Sequence, residues 1–375
     1  MPLPKFEDIN GLENKLIRDE HLYDRKQMAS EWTQKVQQLN VEKRLVYVKV
    51  IAAVENETGG VIFLYGHGGT GKTFLYRAIS AKVRSEGKIV LNVACSGIAA
   101  LLLPGGRTAH SRLAIPIDLF DDSTCNIGHK SQLVELLRET SLIIWVEAPI
   151  DHRFAFEAVN LTMRDIVAFK DKGARFKLFG GKTILLGGDF RQVLPIITKG
   201  RRQDVVQASI SRSYIWNECT IDTLKKSMRV SECNSDREKR ERNRAFNKWL
   251  LAMGDGTLEA KAEENDTKET WIEIPEQYIG SKGPLNIEVV VNQMYPDFAS
   301  RHKNKEYLRE RAVLTPLNET ADMINNHMGS LVPGEEVLYR SCDEVCTAST
   351  ESDDQFSSYP TEYLNSLNLQ GLPHH

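Results

Sequence analysis

Four short stretches of the chain are apolar almost without interruption: VIFLY (61–65), KIVLNVA (88–94), SLIIWV (141–146) and KTILLGG (182–188). Runs of that length without polar alternation predict strands covered on both faces, as in a parallel sheet packed between helices. Between them the period becomes helical. NVEKRLVYVKVIAAV (40–54), KTFLYRAISAKVRSE (72–86), SQLVELLRET (131–140) and HRFAFEAVNLTMRDIVAF (152–169) place apolar residues three and four apart. Strand and helix in repeated alternation predict an α/β fold with a doubly wound parallel sheet.

The character shifts after Arg229. SDREKRERNRAFNKWLLAMGDG (235–256) predicts an amphipathic helix stopped by glycine, and 257–310 is loop-rich. ERAVLTPLNETADMINNHM (310–328) predicts a strand, a turn and a capped helix, and EEVLYRS (335–341) a further strand. The acidic, Ser/Thr-rich segment 342–358 predicts a solvated loop. These patterns divide the chain into a helical leader (1–38), a first domain (39–218) expected to fold on its own, and a partial second domain (219–375).

Composition adds exclusions. The 375 residues are 41% hydrophobic and 26% charged, as in an ordinary globular protein. A net charge of −3 supplies no global basic field and leaves only a local basic groove for any nucleic acid. The basic run 237–248 also carries two glutamates and reads as a solvated helix face. No apolar run approaches the roughly 18 residues that cross a bilayer, so no membrane partner is expected. The mixed-charge N-terminus resembles neither a secretory nor a transit signal. Six scattered cysteines suit a reducing compartment, and Cys342 and Cys346 lack the second pair that a zinc site needs.

Two segments carry chemistry. Gly66-His-Gly68-Gly69-Thr70-Gly71-Lys72-Thr73 follows a predicted strand and opens a predicted helix. In that context the glycines turn backbone N–H groups around phosphate oxygens and the helix N-terminus adds its positive end. Lys72 reaches the β- and γ-phosphates, and the Thr73 hydroxyl is placed to ligate Mg²⁺. The second segment is SLIIWVEAPI (141–150), an apolar strand ending in one acid. A phosphate-hydrolysing strand commonly ends in two, the first of them holding the metal. Here Val146 stands in the metal position and Glu147 in that of the base.

These segments occur in order with VACSGIAALLLPGGRTAHS (93–111), LGGDFRQVLPI (186–196) and KKSMRV (225–230). Together they resemble the Pif-type (petite integration frequency) ATP-dependent DNA helicases of superfamily one, especially plant and Helitron-transposon members. The resemblance implies a RecA-like P-loop NTPase core and an incomplete second RecA-like lobe, since the blocks expected after GLPHH do not follow. It implies ATP and Mg²⁺ as cofactors, and single-stranded DNA or DNA duplex junctions as partners of a monomer. Gly66 to Thr73 would bind ATP and Glu147 would be the base. Gln192 would sense the γ-phosphate, and Arg229 would stabilise transferred charge. Ser96, Thr108 and His110 would grip the single strand. A nuclear setting is expected, with the mitochondrion as the alternative. LNVEKR (39–44) matches the family's adenine-reading segment except that Lys43 replaces a glutamine. Two functions follow: a 5′–3′ helicase, or a truncated, catalytically impaired remnant that binds nucleotide or DNA without efficient turnover. A P-loop small-molecule kinase would explain the cradle but not the later blocks.

Overall fold

The computed structural model describes residues 14–228, 237–259, 271–280, 286–335 and 337. The chain divides into two compact units, Met1–Leu258 and Glu259–His375.

Within the first unit, all four apolar runs are strands: β1 Gly60–Gly66, β2 Ile89–Ala94, β4 Thr140–Val146 and β5 Thr183–Gly188. Two edge strands join them, β3 Arg107–Thr108 and β6 Cys219–Leu224. The order is β3-β2-β4-β5-β1-β6, and every pairing is parallel. Parallel neighbours need crossovers, which the helices supply. Two helices precede the sheet, α1 Lys15–His21 and α2 Arg25–Gln37, followed by α3 Val41–Glu55 and α4 Lys72–Ser85. Between β2 and β5 lie α5 Gly97–Ala100, α6 Ala109–Leu113, α7 Gln132–Glu139 and α8 Arg153–Ala168. A short α9, Arg202–Ala208, and α10, Arg237–Gly254, complete the unit.

Two apolar clusters cover the two sheet faces. Phe63, Ile143, Trp145 and Leu186 meet α7 and α8 on one face, while Leu64, Ile144, Val146 and Leu185 meet α3 and α4 on the other. That two-sided cover is why the central strands lack polar alternation.

The first unit runs past the expected boundary at 218. Strand β6 pairs with β1 along its whole length, so residues 219–224 belong to the first sheet. Helix α10 is also held here, through the Arg191–Asp255 ion pair (2.6 Å) just beyond its end. The described part of the leader is helical, and α2 packs on α4, with Trp32 donating to the Tyr47 hydroxyl of α3 (2.7 Å).

The second unit's described residues form α11 Ile287–Met294, α12 Phe298–Arg301, α13 Lys305–Arg309 and α14 Asn318–Ser330. Tyr307 is buried between the Arg301 and Arg311 guanidinium groups, 4.2 and 4.5 Å from its ring. The helix expected within 310–328 is α14, but residues 311–317 before it are irregular rather than a strand. No neighbouring strand among the described residues offers them a ladder, and an isolated strand gains too little to form. The strand expected at 335–341 and the acidic loop at 342–358 lie outside the described residues, apart from 335 and 337.

One buried acid makes stability depend on pH. Asp151 accepts from Trp145 Nε1 (2.7 Å), and burial pushes its carboxyl up to about 6, partly offset by that hydrogen bond. Folding therefore favours the protonated acid. Its contribution is full below the unfolded carboxyl value and is lost as pH rises through about 6, on the order of 3 kcal/mol. Asp151→Asn keeps an acceptor for Trp145 and carries no titrating proton. Thermal melts from about pH 4 to about pH 7 should show a flatter decline for the variant than for the parent. Parallel curves would exclude Asp151 as the source.

Candidate active site

The carboxyl edge of a parallel sheet gathers whatever follows each strand. After β1 comes the loop Gly66–Gly71, pinned internally by Thr70 Oγ1 donating to the His67 carbonyl (2.8 Å). The Lys72 ammonium donates to the Gly66 carbonyl. The KKSM segment lies across this loop. Met228 N–H donates to the Gly69 carbonyl (2.8 Å), and Glu42 accepts from the amides of Lys225 (3.1 Å) and Lys226 (3.4 Å). A cleft of about 560 Å³ results, lined by residues 67–73, with Lys43, Glu147, Gln192 and Met228. The structure thus brings together the cradle glycines, Thr70, Lys72, Thr73, Glu147 and Gln192. Arg229 lies outside the described residues.

Glu147 follows β4 in the left-handed backbone region (φ 55°, ψ 37°). A side chain held there costs about 1–3 kcal/mol and persists only where its surroundings impose it. Here the Trp145–Asp151 hydrogen bond spans the turn. Burial raises the Glu147 carboxyl above its ordinary value, while Lys72 pulls it down and Asp189 pushes it up. Burial likewise lowers the Lys72 ammonium, opposed by Glu147 and Asp189. Asp189 is the site acid that sequence reading passed over. It is buried at the end of β5, where it accepts from the Arg191 amide (3.1 Å). An acid directly after an apolar strand was the available signal. Lys43 and Lys72 set two amine groups against the single carboxyl of Glu147 in the cleft lining, which suits an anionic nucleotide.

The metal position differs in kind. Val146 is 2% exposed and packs with Leu64, Leu75, Tyr76 and Leu185. A valine cannot ligate a hard cation. Thr73 lines the cleft, and its hydroxyl would hold such a cation where one is bound with the nucleotide. Beside Val146 the Tyr76 hydroxyl is buried with no hydrogen-bond partner among the described residues. It occupies the space in front of Gly187, 1.6 Å from where a Cβ there would sit, and Gly187 is the register partner of Val146. Tyr76 therefore places an unpaired donor next to the strand pair Val146–Gly187.

Lys43 is buried, and its ammonium would lie 2.6 Å from a Cβ at Gly71, with the Phe74 ring 5.9 Å away. The residue replacing the glutamine thus stands at the cleft wall as a donor only. Ser96, Thr108 and His110 do not line the cleft. They sit at the far end of the same edge. Ser96 caps α5, accepting from the Ala99 amide (3.3 Å), and Thr108 pairs in register with Ala94 and precedes α6. His110 is half-buried, which lowers its pKa.

Parallel sheet, phosphate loop and buried carboxylate define a P-loop NTPase with a RecA-like core. Residues 38–264, more than half of the chain, match the family model described as PIF1-like helicase, and the chain belongs to that family. The ATP-dependent DNA helicase Pif1 of Psychrobacter sp. is 29% identical over 161 residues, covering 42% of this chain and 23% of that protein. The ATP-dependent DNA helicase Pif1 of Campylobacter jejuni is 27% identical over 209 residues, covering 53% of this chain and 42% of the relative. Among solved structures, the Pif1 helicase from Candida albicans is 23% identical with a TM-score of 0.44, covering 58% of this chain and 44% of that one. The chain spans less than half the length of these curated relatives.

The Tyr76–Val146 pairing is testable by a double-mutant cycle read in denaturant melts. Tyr76→Phe alone should be neutral or stabilising, since it removes an unpaired buried hydroxyl. Val146→Asp should cost about 1–3 kcal/mol less with the tyrosine present than on the Tyr76→Phe background. Equal costs would mean that the two positions do not meet.

Proposed function

We propose that this chain is an ATP-driven DNA helicase motor that turns over slowly. One observation carries the reading: the phosphate loop, Glu147 and Gln192 line a single cleft at the sheet edge. Lys72 and the loop amides hold the β- and γ-phosphates. Glu147 takes the proton of the attacking water, and Gln192 contacts the γ-phosphate. Arg229 supplies the cation that stabilises the transferred charge. Mg²⁺ bound with the nucleotide supplies positive charge against the developing phosphate charge. Ser96, Thr108 and His110 meet the single strand through hydroxyl, backbone and ring groups, and the exposed Ile98 and Leu101 beside them offer apolar surface to bases. We assign 5′–3′ polarity, single-stranded or junction DNA as partner, a monomeric state and a nuclear setting, on the resemblance of the motif blocks.

Slow turnover follows from Val146. Loss of a charge partner of the reacting phosphate costs on the order of 10²-fold in rate. DNA-stimulated ATPase assays of the chain and of Val146→Asp should show a gain of about tenfold or more in the variant, with Glu147→Gln inactive in both backgrounds. Robust turnover in the unaltered chain would overturn the slow-motor reading. Because burial raises Glu147, the acid limb of the rate profile should lie above the ordinary carboxylate range, and a limb within that range would exclude Glu147 as its source.

A further inference from the structure

The family match begins at residue 38, yet residues 14–37 are tied into the same unit by ion pairs buried at both ends. Glu20, on α1, takes Arg112 with one carboxylate oxygen and Arg84 with the other, the second contact at 3.4 Å. The three side chains are 8%, 7% and 2% exposed. Arg112 lies in α6, two residues beyond His110. Arg84, on α4, also donates to the carbonyls of Pro104 (3.1 Å) and Val90 (3.2 Å). The Tyr23 ring lies 3.8 Å from the Arg84 guanidinium, and its hydroxyl fills the space in front of Gly105, 2.1 Å from where a Cβ would sit. Helix α1 is anchored independently. Leu16 and Ile17 pack on the core, and Asn14 donates to the Gln132 carbonyl (2.6 Å) and to Glu135 (2.9 Å).

Two guanidinium groups thus share one carboxylate in a place water hardly reaches. They repel one another, and without Glu20 each would be a buried charge lacking its counter-ion, an arrangement that structures relieve by moving the chain. Arg84 keeps its hydrogen bonds to the Pro104 and Val90 carbonyls when Glu20 is lost, so the displacement falls on the element carrying Arg112. We infer that Glu20 is a positioning residue for single-strand contact, fixing the 103–113 block from behind so that Thr108 and His110 keep their place at the sheet edge. This rests on the reading of that block as a DNA grip. It places a functional requirement in the helix that precedes the family-matched region.

The test uses the full chain, with a fluorescent oligothymidine for DNA binding and a fluorescent ADP analogue for the cradle. Glu20→Gln should raise the Kd for the oligonucleotide about tenfold while the nucleotide Kd stays within about twofold. Glu20→Asp, which keeps the charge on a shorter stem, should fall between. If Glu20→Gln does not fold, Glu20→Asp is judged by the same two Kd values. A combined Thr108→Val and His110→Ala variant reports on the grip itself. Should that variant weaken DNA binding while the Glu20 variants bind normally, the inference fails and the reading of the block survives. Should the combined variant bind normally, the reading fails and the inference falls with it. Parallel loss of both ligands in the Glu20 variants would reduce Glu20 to a general structural role and also overturn the inference.

Discussion

The nucleotide edge depends on two adjacent positions without side chains, Gly187 and Gly188 at the end of β5. This strand runs between β4, which carries Glu147, and β1, which carries the phosphate loop. A Cβ at Gly187 would sit 1.6 Å from the Tyr76 hydroxyl, and one at Gly188 would sit 2.2 Å from Pro149 Cδ. Both faces therefore close onto the strand, α4 from one side and the 148–150 turn from the other. Those approaches seat Lys72 and Glu147 close enough for each to shift the other's proton affinity. Any side chain at either position would have to push one of them away.

The same close packing makes a valine at 146 cheap structurally. On the face toward α4, Val146 joins an apolar cluster and leaves no void that packing must absorb. What it leaves is a phenol without a partner, a burden of about 1–3 kcal/mol that folding can carry. Gly66–Thr73 needs only its backbone and Lys72 to cradle phosphate, so nucleotide binding and efficient hydrolysis can part company here.

Legibility followed burial. The four central strands were plain because both faces are covered and, Asn92 apart, every residue in them is apolar or small. Strand β6, Cys-Thr-Ile-Asp-Thr-Leu, was missed because as an edge strand it pairs only with β1 and keeps polar residues on its exposed side. That omission placed the expected boundary at 218. The phosphate loop, Glu147 and Gln192 were legible because local spacing carries their chemistry, and each follows a strand of the same sheet. Asp189 and Tyr76 were not. Their meaning lies in what stands opposite them across the fold, which no local pattern records. The expected strand before α14 failed for the converse reason, since apolar residues such as Val313 and Leu314 have the composition of a strand but no ladder to join.

Glu20 marks the furthest point of that limit. In sequence it is one acid among several in a polar segment, spaced like any solvated helix face. Its burial comes from Arg84 and Arg112, 64 and 92 residues away along the chain. A carboxylate alone there would be costly, and so would either arginine. Only the set is tolerable, and the set joins three helices that the hydrophobic pattern assigns to separate segments. Polar interiors of this kind specify position more sharply than apolar ones, since a guanidinium has few orientations that satisfy its donors, whereas a leucine has many that bury its methyls. The loop most in need of a fixed position, the one proposed to hold a moving strand, is thus backed by charge as well as by its buried Leu103, Ala109 and Leu113.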